Sequence, residues 1–493
     1  MAAALMAGPA CLFAEIVTFR VTENDQAIPC RIHLWDAEHK PVKVESYPWW
    51  HDHFSCDGTA ALDVPPGSYS YEIDRGPEYR AVSGTFELAG GGKQDVVASL
   101  NRMANMASRG WWCGDLHVHR PIEHAELLMQ SEDLYIAPFI TWWNAKNLWG
   151  DTAPQEPLLR KLAGNRYYHI MGGEDEREGG AFLYFNRTEP LEISKADREW
   201  PSPMSFLERV ADERETYIDI EKPFWWDVPT ALAMGHGDSI GLANNHMCRG
   251  GMYESEAWGK PRDAVRLPAP RGNGTWTQEI YYHLLNTGLR VPPSAGSASG
   301  VLPNPVGYNR VYVQLDGELT YEKWWKGLLA GRSFVTNGPL LLAAASGELP
   351  GHVFKSASPL SVDVSAEIIA RDPYTTIEIV KNGRVTHTVA REDVAADGFL
   401  ASVAFEDSGW FLVRVIADVQ HTFRFASSAP FYVEIGENPR RVSRESAQFF
   451  LDWTRERRER VKHDDPEKLA EVIAYHNKAE AFWSQRVDDA NAK

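Results

Sequence analysis

Between about residues 108 and 345 the sequence alternates short β-forming runs with helical stretches, and this alternation constrains the fold more than any other feature. A chain that alternates in this way is expected to build a β/α barrel. Leu134 to Ile140, Tyr167 to Met171, Tyr217 to Ile220 and Ile240 to Ala243 are the clearest strand cores. Gln278 to Asn286 reads as a helix stopped by Gly288, and Tyr321 to Ala330 as another, with Gly331 just past its end. The run Ser333 to Thr336 closes this part of the chain.

On either side the pattern is purely β. Residues 16 to 107 carry period-two runs, including Ile16 to Val21 and Cys30 to Leu34, punctuated by Pro65-Pro66-Gly67 and Gly90-Gly91-Gly92. Residues 346 to 436 carry Thr375 to Lys381, then Asn382-Gly383, then Arg384 to His387, and later Phe411 to Ile416. Asn-Gly between alternating runs is the strongest short hairpin signal. Each flank predicts a β-sandwich. Residues 437 to 493 read as a helical tail, in which Asp465 caps a helix that has Pro466 at its first position. Leu469, Val472, Ile473 and His476 form its apolar face.

Within the central part, polar groups stand where β-runs end. His117 and His119 follow the apolar Trp111-Trp112-Cys113, with Gly114 read as permitting a tight bend. In an extended chain these two imidazoles share a face and form a ready pair of metal ligands. Glu174 follows Tyr168 to Met171 and a glycine pair, Lys222 follows Tyr217 to Ile220, and His246 follows Ile240 to Ala243. In a barrel the strand ends converge on one face, so these groups would meet. Three imidazoles and a carboxylate suit zinc, iron or manganese. Asp115 is expected either to accept an imidazole N–H or to cap the strand end. Lys222 is expected to assist the substrate or leaving group, or to pair with Glu221 or Asp227. Arg177 is a candidate for holding a substrate anion, with a structural ion pair as the alternative. His51 and His53 repeat the His-x-His spacing, but in a Trp-Trp-His-Asp-His loop with no acidic loop nearby, which predicts surface histidines.

The stretch Gly114-Asp115-Leu116-His117-Val118-His119 resembles the opening motif of the PHP (polymerase and histidinol phosphatase) superfamily. Gly172-Gly173-Glu174-Asp175-Glu176-Arg177 resembles its glutamate-bearing loop. Glu221 to Asp227, Asn244-Asn245-His246-Met247 and Gly331 to Pro339 resemble the CehA/McbA-type branch. The resemblance implies a distorted PHP-like β/α barrel with His117, His119, Glu174 and His246 as metal ligands. It favours Glu174 over Glu176 as the carboxylate, and it puts Trp226 and Asp227 near the substrate. It also implies hydrolysis of an ester, carbamate or phosphoester. One motif departs from the family. Where a late Gly-Ser-Asp-x-His would supply two more ligands, this chain has Gly296-Ser297-Ala298-Ser299-Gly300. Ala298 and Gly300 offer no ligand atoms, so fewer ions than the full cluster are expected, with Ser297 left to contact substrate.

Composition narrows the partners. Acidic residues outnumber basic ones, 68 to 50, for a formal charge of −18, which disfavours nucleic acid. No run approaches the length of a membrane span. Met1 to Ala14 reads as a truncated secretory segment, so export to a periplasmic or extracellular compartment is expected. Cys30 and Cys56 could then pair, whereas Cys113 and Cys248 read as small buried residues. Five adjacent Trp pairs read mainly as core, although an outward indole near a site can stack on a sugar or aryl ring.

The sequence therefore predicts a multidomain α/β plus all-β protein, in which a central barrel is flanked by two β-sandwiches and followed by a helical tail. Its expected activity is metal-dependent hydrolysis of a small-molecule or glycan-linked substrate by a metal-activated water. The alternative is a catalytically degenerate barrel that binds a glycan or cell-surface ligand.

Overall fold

A computed structural model describes residues 16–90, 92–211, 213, 215–437 and 439–492. The Met1 to Ala14 segment and Cys11 lie outside the described residues. The fold is mixed α/β with several sheets and a C-terminal pair of helices. The chain divides into two compact units: residues up to Met103 with Glu126–Asp133, and Ala104–Ala125 with the remainder from Leu134.

The N-terminal unit contains two main sheets. In one, Ile16–Glu23 pairs in parallel with Lys93–Ser99 and antiparallel with Thr59–Asp63. In the other, Cys30–Trp35 lies between His53–Cys56 and Gly67–Asp74. Alternate residues of a strand face one side, so Val17, Phe19 and Val21 from the first sheet meet Ile32, Leu34, Phe54 and Ile73 from the second in one apolar core. Glu126–Asp133, expected in the central part, belongs to this unit instead. The reason is electrostatic: the buried Glu132 pairs with Arg31, and the buried Asp133 with Arg75 at 3.3 Å and Arg102 at 2.9 Å.

In the second unit seven strands follow one another laterally in chain order: Trp111–Gly114, Ile136–Trp143, Arg166–Arg177, Gly180–Phe185, Tyr217–Ile220, Ser239–Ala243 and Pro293–Ala295. All neighbours are parallel except Gly180–Phe185, which is antiparallel to both of its partners. Beyond Gly114 and Ala295 the first and last members come together. The Leu116 N–H donates to the Ala295 carbonyl at 3.0 Å, and Val118 pairs in parallel with Ser299. Parallel strands joined by crossovers place their ends on one side, which puts the loops after Gly114, Arg177, Ile220 and Ala243 within reach of one another.

The boundary expected near residue 345 does not interrupt the hydrogen bonding. Trp111–Gly114 also pairs with Arg310–Gln314, which pairs with Ser333–Thr336, and that strand pairs with Phe425–Ser428. The expected central domain, second β region and tail therefore form one unit. The Asn-Gly hairpin is as predicted: Lys381 pairs with Arg384, and Asn382 and Gly383 have φ of 49° and 84°, the left-handed pair a tight hairpin turn requires. Asp465 caps the helix Pro466–Asp488 by accepting the Glu467 N–H at 2.9 Å, and Val472 and His476 are buried on its inner face. No helix among the described residues is long and apolar enough to cross a membrane.

Candidate metal centre

The segment Asp115 to His119 is extended because backbone partners hold it on both sides. On one side the Asp115 N–H donates to the Ile136 carbonyl at 3.1 Å, and the Val118 carbonyl accepts from the Ile140 N–H at 2.8 Å. On the other, the His119 N–H donates to the Ser299 carbonyl at 2.8 Å. His117 and His119 therefore point the same way. Gly114 is part of the strand rather than a bend. A Cβ there would lie 2.6 Å from the Trp324 indole, so glycine is needed for close packing. Glu174 arrives from the strand Arg166–Arg177, whose close approach to Ile136–Trp143 depends on the preceding glycines. A Cβ on Gly173 would overlap the Trp142 indole.

Three ligand atoms converge. His117 Nε2 and His119 Nε2 are 2.9 Å apart, and Glu174 Oε2 lies 3.3 Å from the first and 3.1 Å from the second. His117 and Glu174 are buried and His119 half-buried. Glu174 Oε2 is buried yet makes no hydrogen bond. A buried carboxylate oxygen whose nearest polar neighbours are two imidazole nitrogens, without a well-directed hydrogen bond, suits a cation, and a divalent ion would satisfy all three atoms. The residues thus fit a metal ion.

The charges agree with this geometry. Burial opposes charging of His117, but Glu174 and Glu221 outweigh it and raise its pKa to about 10. Burial also opposes ionisation of Glu174, yet the two imidazoles hold its carboxyl well below the usual range. His119 is lowered, chiefly by burial. Glu176 stands two residues past Glu174; its Oε2 accepts from Trp143 Nε1 at 3.1 Å, and burial together with Glu174 raises its pKa to about 7.

The fourth expected ligand, His246, is not among the converging atoms. The turn Asn244 to Met247 lays its ring against Phe224 and Tyr253, with centroids at 5.4 and 5.2 Å. Its Nδ1 is buried without a hydrogen-bond partner, and burial followed by Lys222 depresses its pKa to about 3. Glu221 lies beside the cluster instead. Its Oε1 is 3.3 Å from His117 Nδ1 and accepts from Lys222 Nζ at 2.6 Å, and its Oε2 accepts from Trp225 Nε1 at 2.8 Å. The sequence carried a signal for this residue: like the other cluster members, Glu221 stands at the end of a β-run, just past the strand Tyr217–Ile220.

The remaining expected site residues are engaged in the architecture. Asp115 accepts backbone N–H groups from His117 and Ser297, each at 3.0 Å, and from Gly307 at 2.6 Å, so it caps and ties three segments rather than an imidazole. Lys222 is buried in its ion pair with Glu221. Arg177 binds Asp175 through two nitrogens, at 2.5 and 2.7 Å, and the Pro201 carbonyl at 2.6 Å. The Ser297 hydroxyl accepts from the Asn309 N–H at 3.0 Å. Trp226 donates to the Trp258 carbonyl at 2.7 Å, and Asp227 binds Arg457 at 2.7 Å.

The 296–300 loop packs directly on the histidines. A Cβ on Gly296 would come within 2.5 Å of His117 Cβ, and one on Gly300 within 2.7 Å of the His119 backbone. A cavity of about 450 Å³ opens beside Glu176, lined also by Asn144, Arg177, Asp197, Arg198 and the partly exposed Trp258. In the N-terminal unit, His53 is buried, contrary to its expected surface position, because it lies in a paired strand. Asp52 lies 2.9 Å from His53 Nδ1 and 3.3 Å from His33 Nδ1, a second group with metal-ligand geometry. There, however, Arg31 Nε donates to His33 Nε2 at 3.0 Å, a contact that a metal on Nδ1 would disrupt by moving the ring proton to Nε2. Cys30 and Cys56 face each other across paired strands with sulfurs 3.7 Å apart.

Compared with known proteins, the chain matches no family model, no curated protein and no solved structure.

Proposed function

We propose that this protein is a metal-dependent hydrolase with a single-ion centre held by His117, His119 and Glu174, on a PHP-like barrel formed by the seven-strand run. The observation that carries this reading is the convergence of His117 Nε2, His119 Nε2 and the unbonded Glu174 Oε2. A divalent ion held there supplies Lewis acidity and lowers the pKa of water towards neutrality. His117, His119 and Glu174 would hold the ion with three protein ligands, the number that catalytic zinc sites use where closed structural sites use four. The chain's own residues provide the rest. Asp115 fixes the His-x-His segment, the 296–300 loop buttresses it, and Glu176, two residues past Glu174, lines the 450 Å³ cavity, where it can accept or hold a proton near neutral pH. The bond cleaved is an ester, carbamate or phosphoester of a small molecule or glycan-linked substrate.

The test combines elemental analysis of the purified protein with hydrolysis assays on aryl ester and aryl phosphate panels. One equivalent of zinc, manganese or iron is expected, with turnover that disappears in His119→Ala and Glu174→Gln. A second reading, a barrel that binds a glycan without turnover, is favoured by one observation: the partly exposed Trp258 lines the cavity, where an indole can stack on a sugar ring. Stoichiometric metal with no turnover on either panel, together with glycan affinity, would establish that reading.

A further inference from the structure

Glu221 is buried and has three donors around it, yet the proposed reaction gives it no part. Its carboxylate touches His117 on the side opposite the converging atoms: Nδ1 faces Glu221 at 3.3 Å, while Nε2 faces His119 at 2.9 Å and Glu174 at 3.3 Å. A neutral imidazole has one N–H and one lone pair, and a hydrogen bond at one nitrogen decides where the lone pair lies. An acceptor at Nδ1 puts the proton there and turns the lone pair at Nε2 towards Glu174.

The carboxylate is itself held in place. Lys222 Nζ donates to Oε1 at 2.6 Å and Trp225 Nε1 to Oε2 at 2.8 Å, and the Lys222 ammonium lies 4.6 Å from the centroid of the Trp225 ring. The backbone next to it is fixed too. The Glu221 N–H donates to the Ala181 carbonyl at 3.3 Å, and a Cβ on Gly241 would lie 2.0 Å from the Glu221 carbonyl, so the neighbouring strand packs hard against it.

We propose that Glu221, clamped by Lys222 and Trp225, is the positioning residue of the centre: it fixes the His117 tautomer and orientation so that Nε2 is presented as a metal ligand. The proposal rests on the metal reading above. It also gives Lys222 a different part from assistance to a leaving group, since its ammonium holds the carboxylate that holds the imidazole. Carboxylates that orient ligating histidines typically change metal affinity 10- to 100-fold when removed.

The test is titration of Co²⁺ into metal-free protein, followed through the visible absorption of the bound ion and by calorimetry. Glu221→Gln is expected to weaken Co²⁺ binding about 10- to 100-fold and to shift the visible bands. Because the single variant leaves Lys222 buried without its partner, the double variant Glu221→Gln/Lys222→Met removes both charges at similar volume and keeps the fold. Under the proposal the double variant also binds weakly with shifted bands, and Trp225→Phe is intermediate. Wild-type affinity and spectrum in the folded double variant would overturn it, since Glu221 would then only balance Lys222. A wild-type protein that takes up no Co²⁺ would instead overturn the metal reading itself.

Discussion

At the residue scale the centre is a contest between a proton and a metal for His117. In the metal-free protein this imidazole, despite burial, is raised to about 10 by Glu174 and Glu221. A metal can bind only the neutral form, so its entry must expel that proton. Calorimetric titration with zinc near pH 7, in buffers of different ionisation enthalpy, is expected to show release of about one proton per ion. No buffer dependence would mean that His117 is neutral beforehand. The sign for the metal-free fold follows from the same shift. The folded pKa lies above the unfolded value of 6.5, so this group stabilises the protein fully below that pH and loses its contribution as pH rises through about 10. Gly300 makes a second prediction. With φ of 102° and space for a Cβ only 2.7 Å from the His119 backbone, Gly300→Ala must displace the loop or the histidine. Metal affinity should fall in equilibrium dialysis, whereas Gly317→Ala, also at positive φ but with open space around it, should leave affinity unchanged.

At the element scale the tail helix Arg444–Arg460 is held by a buried ion network, beside the ring contacts of Phe449 and Trp453 with Trp276 and Trp226. Arg457 is buried and binds Glu199 at 2.5 Å and Asp227 at 2.7 Å. Removing one member of a buried ion network strands the others, at a cost of about 3–5 kcal/mol. Arg457→Leu should therefore lower the unfolding free energy obtained from urea denaturation by that amount, and adding Asp227→Asn should recover part of it. This network also marks the limit of what sequence could reveal. Tyr217–Ile220, Ser333–Thr336, the Asn382-Gly383 hairpin and the Asp465 cap are legible because local propensity and turn chemistry determine them. So is the His117–His119–Glu174 cluster, since each member follows a β-run. Arg177, Trp226 and Asp227, expected near a substrate, have structural partners that sequence could not reveal because they lie far along the chain: Pro201, Trp258 and Arg457. A polar residue near a motif looks the same in sequence whether it faces a cavity or an ion pair. His246 fails for another reason. The Asn244 turn changes its direction within two residues, below the precision with which strand ends can be read.

At the scale of the whole molecule, sequence boundaries and physical units differ because compactness follows charge pairing and hydrogen bonding as well as composition. Period-two runs end near residue 105, but Glu126–Asp133 belongs to the N-terminal unit through Arg31, Arg75 and Arg102. A chain starting at Ala104 would keep Glu132 and Asp133 while losing all three arginines. Each carboxylate is about 2 % exposed in the intact protein, and a buried charge deprived of its partner is among the most destabilising changes available. The Ser131 hydroxyl would also lose its bond to Ser55, 2.9 Å in the intact chain. Residues 104–493 alone are therefore expected to express poorly or aggregate, although they contain every proposed metal ligand. Glu132→Gln with Asp133→Asn in that shortened chain removes the stranded charges and should restore soluble, cooperatively melting protein that binds zinc. Full solubility and unchanged thermal stability of the shortened chain without these substitutions would show that the arginine pairs contribute nothing to the larger unit.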